Sequence, residues 1–211
     1  MRYSTWPIRI LFPSVLCRTT SPGIHLTFDD GPHPVATPQV LNILREHKVK
    51  ATFFLTGEKA QQYPDLVRRI RDEQHAIGNH GYSHENLFLK SGAFVRREIE
   101  MTSSLIRSLV GTTTRLFRPP FGSFDLRTLR IARDLDHRVV LWSYDSRDFE
   151  AGGKKGELEL VPATLTPGSI VLLHDNGSTA QSISGYLPRL VESLQERGTT
   201  FSPLTTGASI P

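Results

Sequence analysis

The chain has 211 residues, 38% hydrophobic and 22% charged, with one cysteine, Cys17, and a formal net charge of +4. That length supports a single core that needs no disulfide staples. The composition excludes a disordered tail, a collagen and a coiled coil. One thiol excludes both a disulfide framework and a cysteine-built zinc site, so any metal must be held by His, Asp or Glu. The positive charge comes from 19 arginines and six lysines scattered along the chain. They form no dense basic block or recognisable motif, which argues against a nucleic-acid partner.

Arg2 followed by Ile8–Cys17 opens like an export signal, but Arg9 and Pro13 interrupt the apolar run and no small-x-small cleavage site follows. The run is also too short and broken to span a bilayer. Residues 1–22 are therefore expected to form an apolar packing segment leading into the first strand. A cytoplasmic or membrane-peripheral protein is expected over a secreted one.

From residue 23 to about 205 short apolar runs alternate with amphipathic ones. Ile24–Phe28, Ala51–Leu55, Ala76–Gly78, Leu116–Phe117, Val139–Trp142, Ile170–Leu173 and Thr199–Phe201 read as buried strands. Helical patterns start at Pro38 and Pro64 and run near Ala93–Val110, Leu126–Asp136 and Leu187–Arg197. Gly152–Gly156 reads as a mobile surface loop, and 206–211 as a tail. Strand–helix alternation of this kind predicts one α/β domain, a distorted barrel of about seven parallel strands.

In such an architecture reactive groups collect where strands end. Asp29-Asp30 follow the first strand and Asn79-His80 the third. Arg118-Pro119-Pro120-Phe121-Gly122 follows the fourth, Asp145 and Asp148 the fifth, and His174-Asp175 the sixth. Asp29-Asp30-Gly31-Pro32 reads either as turn chemistry or as a carboxylate pair in which one binds a cation and the other acts as a base. His80 and His84 are four residues apart, either as surface groups or within reach of one metal; with one Asp they make a set that leaves coordination positions open. His/carboxylate donors suit Zn²⁺ best, then Co²⁺, Ni²⁺ or Mn²⁺. His174 is a half-buried strand-end imidazole or a general acid tuned by Asp148 or Asp175. Arg118 is an arginine beside a rigid turn or the clamp of a carboxylate such as Asp29. Behind two prolines, the Phe121 N–H is the first amide free to stabilise an oxyanion. Phe149 offers an aromatic face for a sugar ring.

These segments, in this order, resemble the polysaccharide deacetylases of carbohydrate esterase family 4, the NodB-homology domains, from about Ile24 to Leu204. Thr27-Phe28-Asp29-Asp30 matches the first motif, implying Asp29 as catalytic base and Asp30 as metal ligand. His80 and His84 match the metal-binding second motif. Arg118-Pro119-Pro120 matches the third, implying that Arg118 orients the base and Phe121 N–H completes the oxyanion hole. Asp145–Phe149 matches the fourth, with Asp148 tuning the catalytic His. Leu172-Leu173-His174 matches the fifth, with His174 as general acid and Leu172 in the acetyl pocket. Phe149, Leu172 and Pro120 are the implied substrate contacts. Gly81 departs from the family's Ser or Thr, whose hydroxyl braces the loop; Ser83 is the candidate to replace it. Phe149 departs from Trp, keeping an aromatic face without the indole N–H.

The resemblance implies a zinc-dependent hydrolase that removes N-acetyl groups from an N-acetylglucosamine-type glycan, releasing acetate. A monomer with no stable membrane span is expected. An O-acetyl esterase on a plant-type polysaccharide would use the same machinery. A non-catalytic carbohydrate-binding homologue would have no need of Asp29 and His174. No Gly-rich phosphate loop follows the first strand, which argues against a dinucleotide-binding protein.

Overall fold

The computed structural model describes residues 11–151 and 165–207; the Gly152–Gly156 stretch lies outside them. The elements, in order, are β1 (His25–Gly31), α1 (Ala36–Glu46), β2 (Thr52–Leu55), α2 (Gly57–Gln62), α3 (Pro64–Asp72), β3 (Ala76–Asn79) and α4 (Gly92–Val110). They continue with β4 (Leu116–Phe117), α5 (Leu126–Asp134), β5 (Arg138–Val139), β6 (Tyr144–Asp145), β7 (Ile170–His174) and α6 (Ile183–Glu196). The seven strands form one sheet in the order β5-β4-β3-β2-β1-β7-β6. Every pairing is parallel.

The sheet curls into an incomplete barrel. Residues 16–18 span the gap between its ends: Leu16 bridges Val140 just past β5, and Arg18 bridges Ser169 just before β7. Val15, Leu16 and Cys17 are buried there.

Local chemistry accounts for the helix ends. Pro64 occupies the first turn of α3, where its missing N–H costs nothing. Ser91 and Asp125 cap α4 and α5 by accepting from Phe94 N–H and Thr128 N–H. Gly111 ends α4 in the left-handed conformation that glycine tolerates best.

Strand alternation sorts the chemistry. Leu26, Phe28, Phe53, Leu55, Val171 and Leu173 join the apolar layer beneath the helices. Their neighbours point the other way: Phe54 and Ile170 enter the cluster inside the curl. Thr27, Asp29, Leu172 and His174 share that period, so the polar groups line the interior and its mouth.

Three elements differ from the sequence-based expectation. Tyr144–Asp145 is a strand, pairing with β7. Thr199–Phe201 contributes only a single bridge, Phe201 to Ile24. Gly57–Gln62 forms a short helix, below the length at which periodicity separates helix from loop.

Candidate active site

β1 does not stop at Phe28. It continues to Gly31 through a bulge: Asp29 pairs with Phe54 and Gly31 with Leu55, leaving Asp30 as the extra residue. Asp30 takes φ 70°, a left-handed conformation uncommon for a residue with a side chain. The bulge re-aims one side chain relative to its neighbour, which is how adjacent carboxylates come to serve different partners. His84 (φ 59°) and Phe121 (φ 60°) are also left-handed. Such conformations cost free energy and persist where surrounding structure enforces them.

Asp29 is buried, and its Oδ1 accepts from Arg118 Nη1 at 2.6 Å. Arg118 is fully buried inside the curl. Its Nη1 also donates to Thr27 Oγ1 (2.8 Å) and its Nη2 to Leu141 O (3.0 Å), while the guanidinium lies 4.1 Å over the Phe54 ring. Burial pulls the Arg118 pKa down, and the Asp29 carboxylate opposes it. The arginine is thus an internal clamp rather than a surface group. The other carboxylate oxygen of Asp29, Oδ2, is 3.7 Å from His80 Nε2.

Asp30 Oδ1 lies 3.3 Å from His80 Nε2 and 2.9 Å from His84 Nε2. These three residues form a group whose ligand atoms all lie within 4.8 Å of one another. Burial disfavours ionisation of Asp30, but the two imidazoles outweigh it and hold the carboxyl far below the ordinary carboxylate range. His80 Nδ1 donates to Arg118 O at 2.7 Å. Its Nε2 therefore presents a lone pair to a carboxylate, a repulsive arrangement unless a proton or a cation lies between. An Nε2, Nε2, Oδ1 set with one open side fits a divalent cation. Asn176 Nδ2 donates to Asp30 Oδ2 (2.8 Å) and Lys59 Nζ to Asp30 O (2.6 Å), holding the third ligand from outside.

The loop carrying both histidines is braced by a residue the sequence reading did not single out. Glu98, buried on α4, accepts through Oε2 from Tyr82 N–H, Ser83 N–H (both 2.8 Å) and Ser83 Oγ–H (3.0 Å). Gly81 sits at φ 77°, which suits a residue without a side chain, and its N–H donates to Asn79 Oδ1. Ser83 thus supplies the loop hydroxyl that position 81 lacks.

His174 is the register partner of Asp29 on β7. Its Nδ1 donates to Asp148 Oδ1 at 2.7 Å, and its backbone N–H to Asp148 Oδ2 at 2.8 Å. Tyr186, reaching in from α6, donates to the same Oδ2 at 2.8 Å. Burial lowers the His174 pKa, but bonded Asp148, with Asp29 and Asp30 nearby, outweighs it and raises it to about 9. Of the two acids considered for tuning His174, Asp148 is the partner. Asp175 instead accepts from Thr37 Oγ1 on α1 at 2.5 Å. Its buried carboxyl is pushed up to about 8, by burial first and then by Asp30 and Asp29. It packs so closely on Gly31 that a Cβ there would lie 2.3 Å from its Oδ2. His33 caps α1, its Nδ1 accepting from Val35 N–H and Ala36 N–H.

These groups surround a cleft of about 380 Å³, walled also by Phe121, Gly122, Trp142, Asp145, Phe149 and Leu172. The Phe149 ring meets His174 edge-on at 5.3 Å, and the Phe121 ring lies 4.8 Å from His84. Gly122 N–H and Ser123 N–H turn back to Pro119 O and Pro120 O. The Phe121 N–H makes no such bond among the described residues. Pro120 departs from the expected substrate contact: it is buried behind Gly81, 3.5 Å from where a Cβ would stand. Tyr186, Asn176 and Glu98 escaped the sequence reading because each reaches the site from a helix or loop with no motif of its own.

Similarity to known proteins bears on this arrangement. A family model described as polysaccharide deacetylase matches residues 18–140. The chain is 38% identical over 195 residues to a chitooligosaccharide deacetylase of Azorhizobium caulinodans, covering 86% of this chain and 92% of that one. A solved peptidoglycan N-acetylglucosamine deacetylase in complex with a naphthalenyl N-hydroxybenzamide superposes with a TM-score of 0.85 at 34% identity, over 90% of this chain and 91% of that one. A pseudoenzyme of carbohydrate esterase family 4 from Bacillus anthracis also superposes, with a TM-score of 0.81 at 28% identity, over 91% of this chain and 68% of that one. The shared fold therefore does not by itself separate active from inactive members. The chain belongs to the polysaccharide deacetylase family.

Proposed function

We propose that this chain hydrolyses the N-acetyl group of an N-acetylglucosamine-containing glycan, releasing acetate and leaving a free amine on the sugar. The observation that carries the reading is the placement of two differently supported proton-transfer groups, Asp29 on Arg118 and His174 on Asp148, at adjacent strand ends beside Asp30, His80 and His84. A carbohydrate-binding protein needs neither, so the pairing supports a working enzyme over an inactive homologue.

When bound by Asp30, His80 and His84, a divalent cation, Zn²⁺ by the preference of such donors, supplies Lewis-acid polarisation of the acetyl carbonyl and a more acidic water. Asp29, oriented by Arg118, takes the proton from the water that attacks the acetyl carbon. The Phe121 N–H donates to the oxygen that gains negative charge; one such donor is worth about 3–4 kcal/mol. The C–N bond then breaks. His174, kept protonated at neutral pH by Asp148, gives its Nε2 proton to the departing nitrogen, a step worth about 10²–10⁴-fold. Leu172 and the Phe149 face supply the apolar wall for the acetyl methyl and the sugar ring.

The test is acetate release from chitooligosaccharides, with and without chelator, alongside Asp29→Asn. Activity lost to chelator and restored by a divalent cation, with the variant inactive, supports the reading. Chelator-insensitive release, or full activity of the variant, contradicts it.

A further inference from the structure

Asn176 lies just past His174, half-buried, on the wall of the catalytic cleft. The orientation of its amide is fixed from one side. Its Oδ1 accepts from Ser178 N–H at 2.9 Å and from Ser178 Oγ–H at 2.6 Å. A backbone N–H can only donate, so the amide atom facing it is the oxygen, and the NH₂ is turned toward Asp30. There Nδ2 donates to Asp30 Oδ2 at 2.8 Å.

The segment carrying Asn176 is anchored independently of that side chain. Asp175 N–H donates to Asp29 O at 3.1 Å, and Thr37 Oγ1 donates to the Asp175 carboxyl. Buried Thr179 donates through Oγ1 to His174 O (2.9 Å) and to Asn176 O (3.1 Å). The amide therefore reaches Asp30 from a preformed turn.

The two oxygens of Asp30 have different neighbours. Oδ1 faces the imidazoles, 3.3 Å from His80 Nε2 and 2.9 Å from His84 Nε2, while Oδ2 faces Asn176. A free carboxylate can bind a cation through one oxygen or through both. Turning Asp30 to offer both would draw Oδ2 off the amide. The choice decides the ligand count. Through one oxygen the three residues leave a tetrahedral cation an open position for water or the acetyl oxygen; through two they fill it.

We infer that Asn176 is a positioning residue that holds Asp30 to one oxygen, and so keeps the cation site open and selective for Zn²⁺ over cations that favour six ligands, such as Mn²⁺. The inference rests on the cation site of the deacetylase reading. Because Asn176 follows His174 in the same turn, that turn sets the proton donor and the cation ligand in one frame.

The test uses the chelator-treated full chain, its Asn176→Ala variant and Ser178→Ala, which removes one contact of the same turn but leaves the residue 178 N–H to orient the amide. Each is titrated calorimetrically with Zn²⁺ and with Mn²⁺, and the Co²⁺-loaded proteins are compared by visible absorption. Asn176→Ala is expected to bind Zn²⁺ about 10–100-fold more weakly, as other losses of an outer hydrogen bond do. A smaller loss is expected for Mn²⁺, so the preference between the two narrows. The cobalt bands of Asn176→Ala are expected to weaken as the site gains a ligand. Ser178→Ala is expected to match wild type in all three measurements. Unchanged Zn²⁺ affinity and cobalt spectrum in Asn176→Ala overturn the inference. So does an equal loss for both cations with an unchanged spectrum, or the same loss in Ser178→Ala, since either means that the turn has merely loosened. A wild type that binds neither cation overturns it together with the deacetylase reading. Zn²⁺ binding with the expected Asn176 effects, but no acetate release from chitooligosaccharides, keeps the inference and sinks the deacetylase reading alone.

Discussion

Replacing Asp148 by Asn removes one buried charge while keeping nearly the same volume. Asp148 accepts three hydrogen bonds, from His174 N–H, His174 Nδ1–H and Tyr186 OH. An amide has a single oxygen. If that oxygen faces Tyr186 and the His174 backbone, the NH₂ faces Nδ1, which must then accept, and the imidazole is held neutral with its proton on Nε2. If the oxygen faces Nδ1, the His174 backbone N–H confronts the NH₂, while the Tyr186 hydroxyl can turn to accept from it. A hydrogen bond to a charged group contributes about 1.5–3 kcal/mol against about 1 for a neutral pair. At about 1.4 kcal/mol per pH unit, the loss lowers the His174 pKa from about 9 by roughly one unit, and by more in the first orientation. In the proposed reaction protonated His174 is the form that assists the leaving amine, so activity is expected to fall as pH rises through its pKa. The variant's alkaline limb for kcat is expected to move down by about one pH unit or more, with turnover at mildly alkaline pH reduced by about 10–10²-fold, inside the range for a general acid. Acetate release measured from neutral to alkaline pH on wild type and variant reads this directly. The candidate cation site is unchanged by the substitution, so any ion held there would act on both proteins alike. An unmoved alkaline limb would refute the assignment of His174 as the acid held up by Asp148.

Glu98→Ala removes the acceptor of three loop hydrogen bonds and is expected to weaken binding of a divalent cation by about 10–100-fold, as outer-shell changes do; titration calorimetry with Zn²⁺ checks it, and unchanged affinity would show that the loop holds its shape unaided. Arg118→Met leaves Asp29 buried without its partner and is expected to cost about 3–5 kcal/mol in urea denaturation, whereas a loss below about 1 kcal/mol would mean that water reaches the interior of the curl. Asp175 has its pKa raised to about 8 in the folded chain. Its contribution to stability is therefore complete below the unfolded value near 4 and is lost as pH rises through about 8. In chelated protein, Asp175→Asn is expected to gain melting temperature relative to wild type across that window, and a constant difference would refute the raised pKa.

The residues that the structure gathers around the cleft were readable from local order, their proposed roles from the family resemblance. Strands with a two-residue period, each ending in polar groups, place Asp29, Asp30, His80, Arg118, Asp148 and His174 at one end of a parallel sheet, because successive strands of that kind all point the same way. Motif spacing likewise anticipates the pairing of His80 with His84. Other features depend on distances along the chain that no local pattern records. The bulge at Asp30 arises from the register of β1 against β2. Glu98 sits in a helix whose periodicity marks it as one charge among several, yet burial beside residues 82 and 83 makes it the brace of the loop carrying His80 and His84. Pro120 belongs to the right motif but turns behind Gly81. Side-chain period and turn chemistry act over a few residues; which carboxylate meets which cation is decided by packing between segments far apart in the chain.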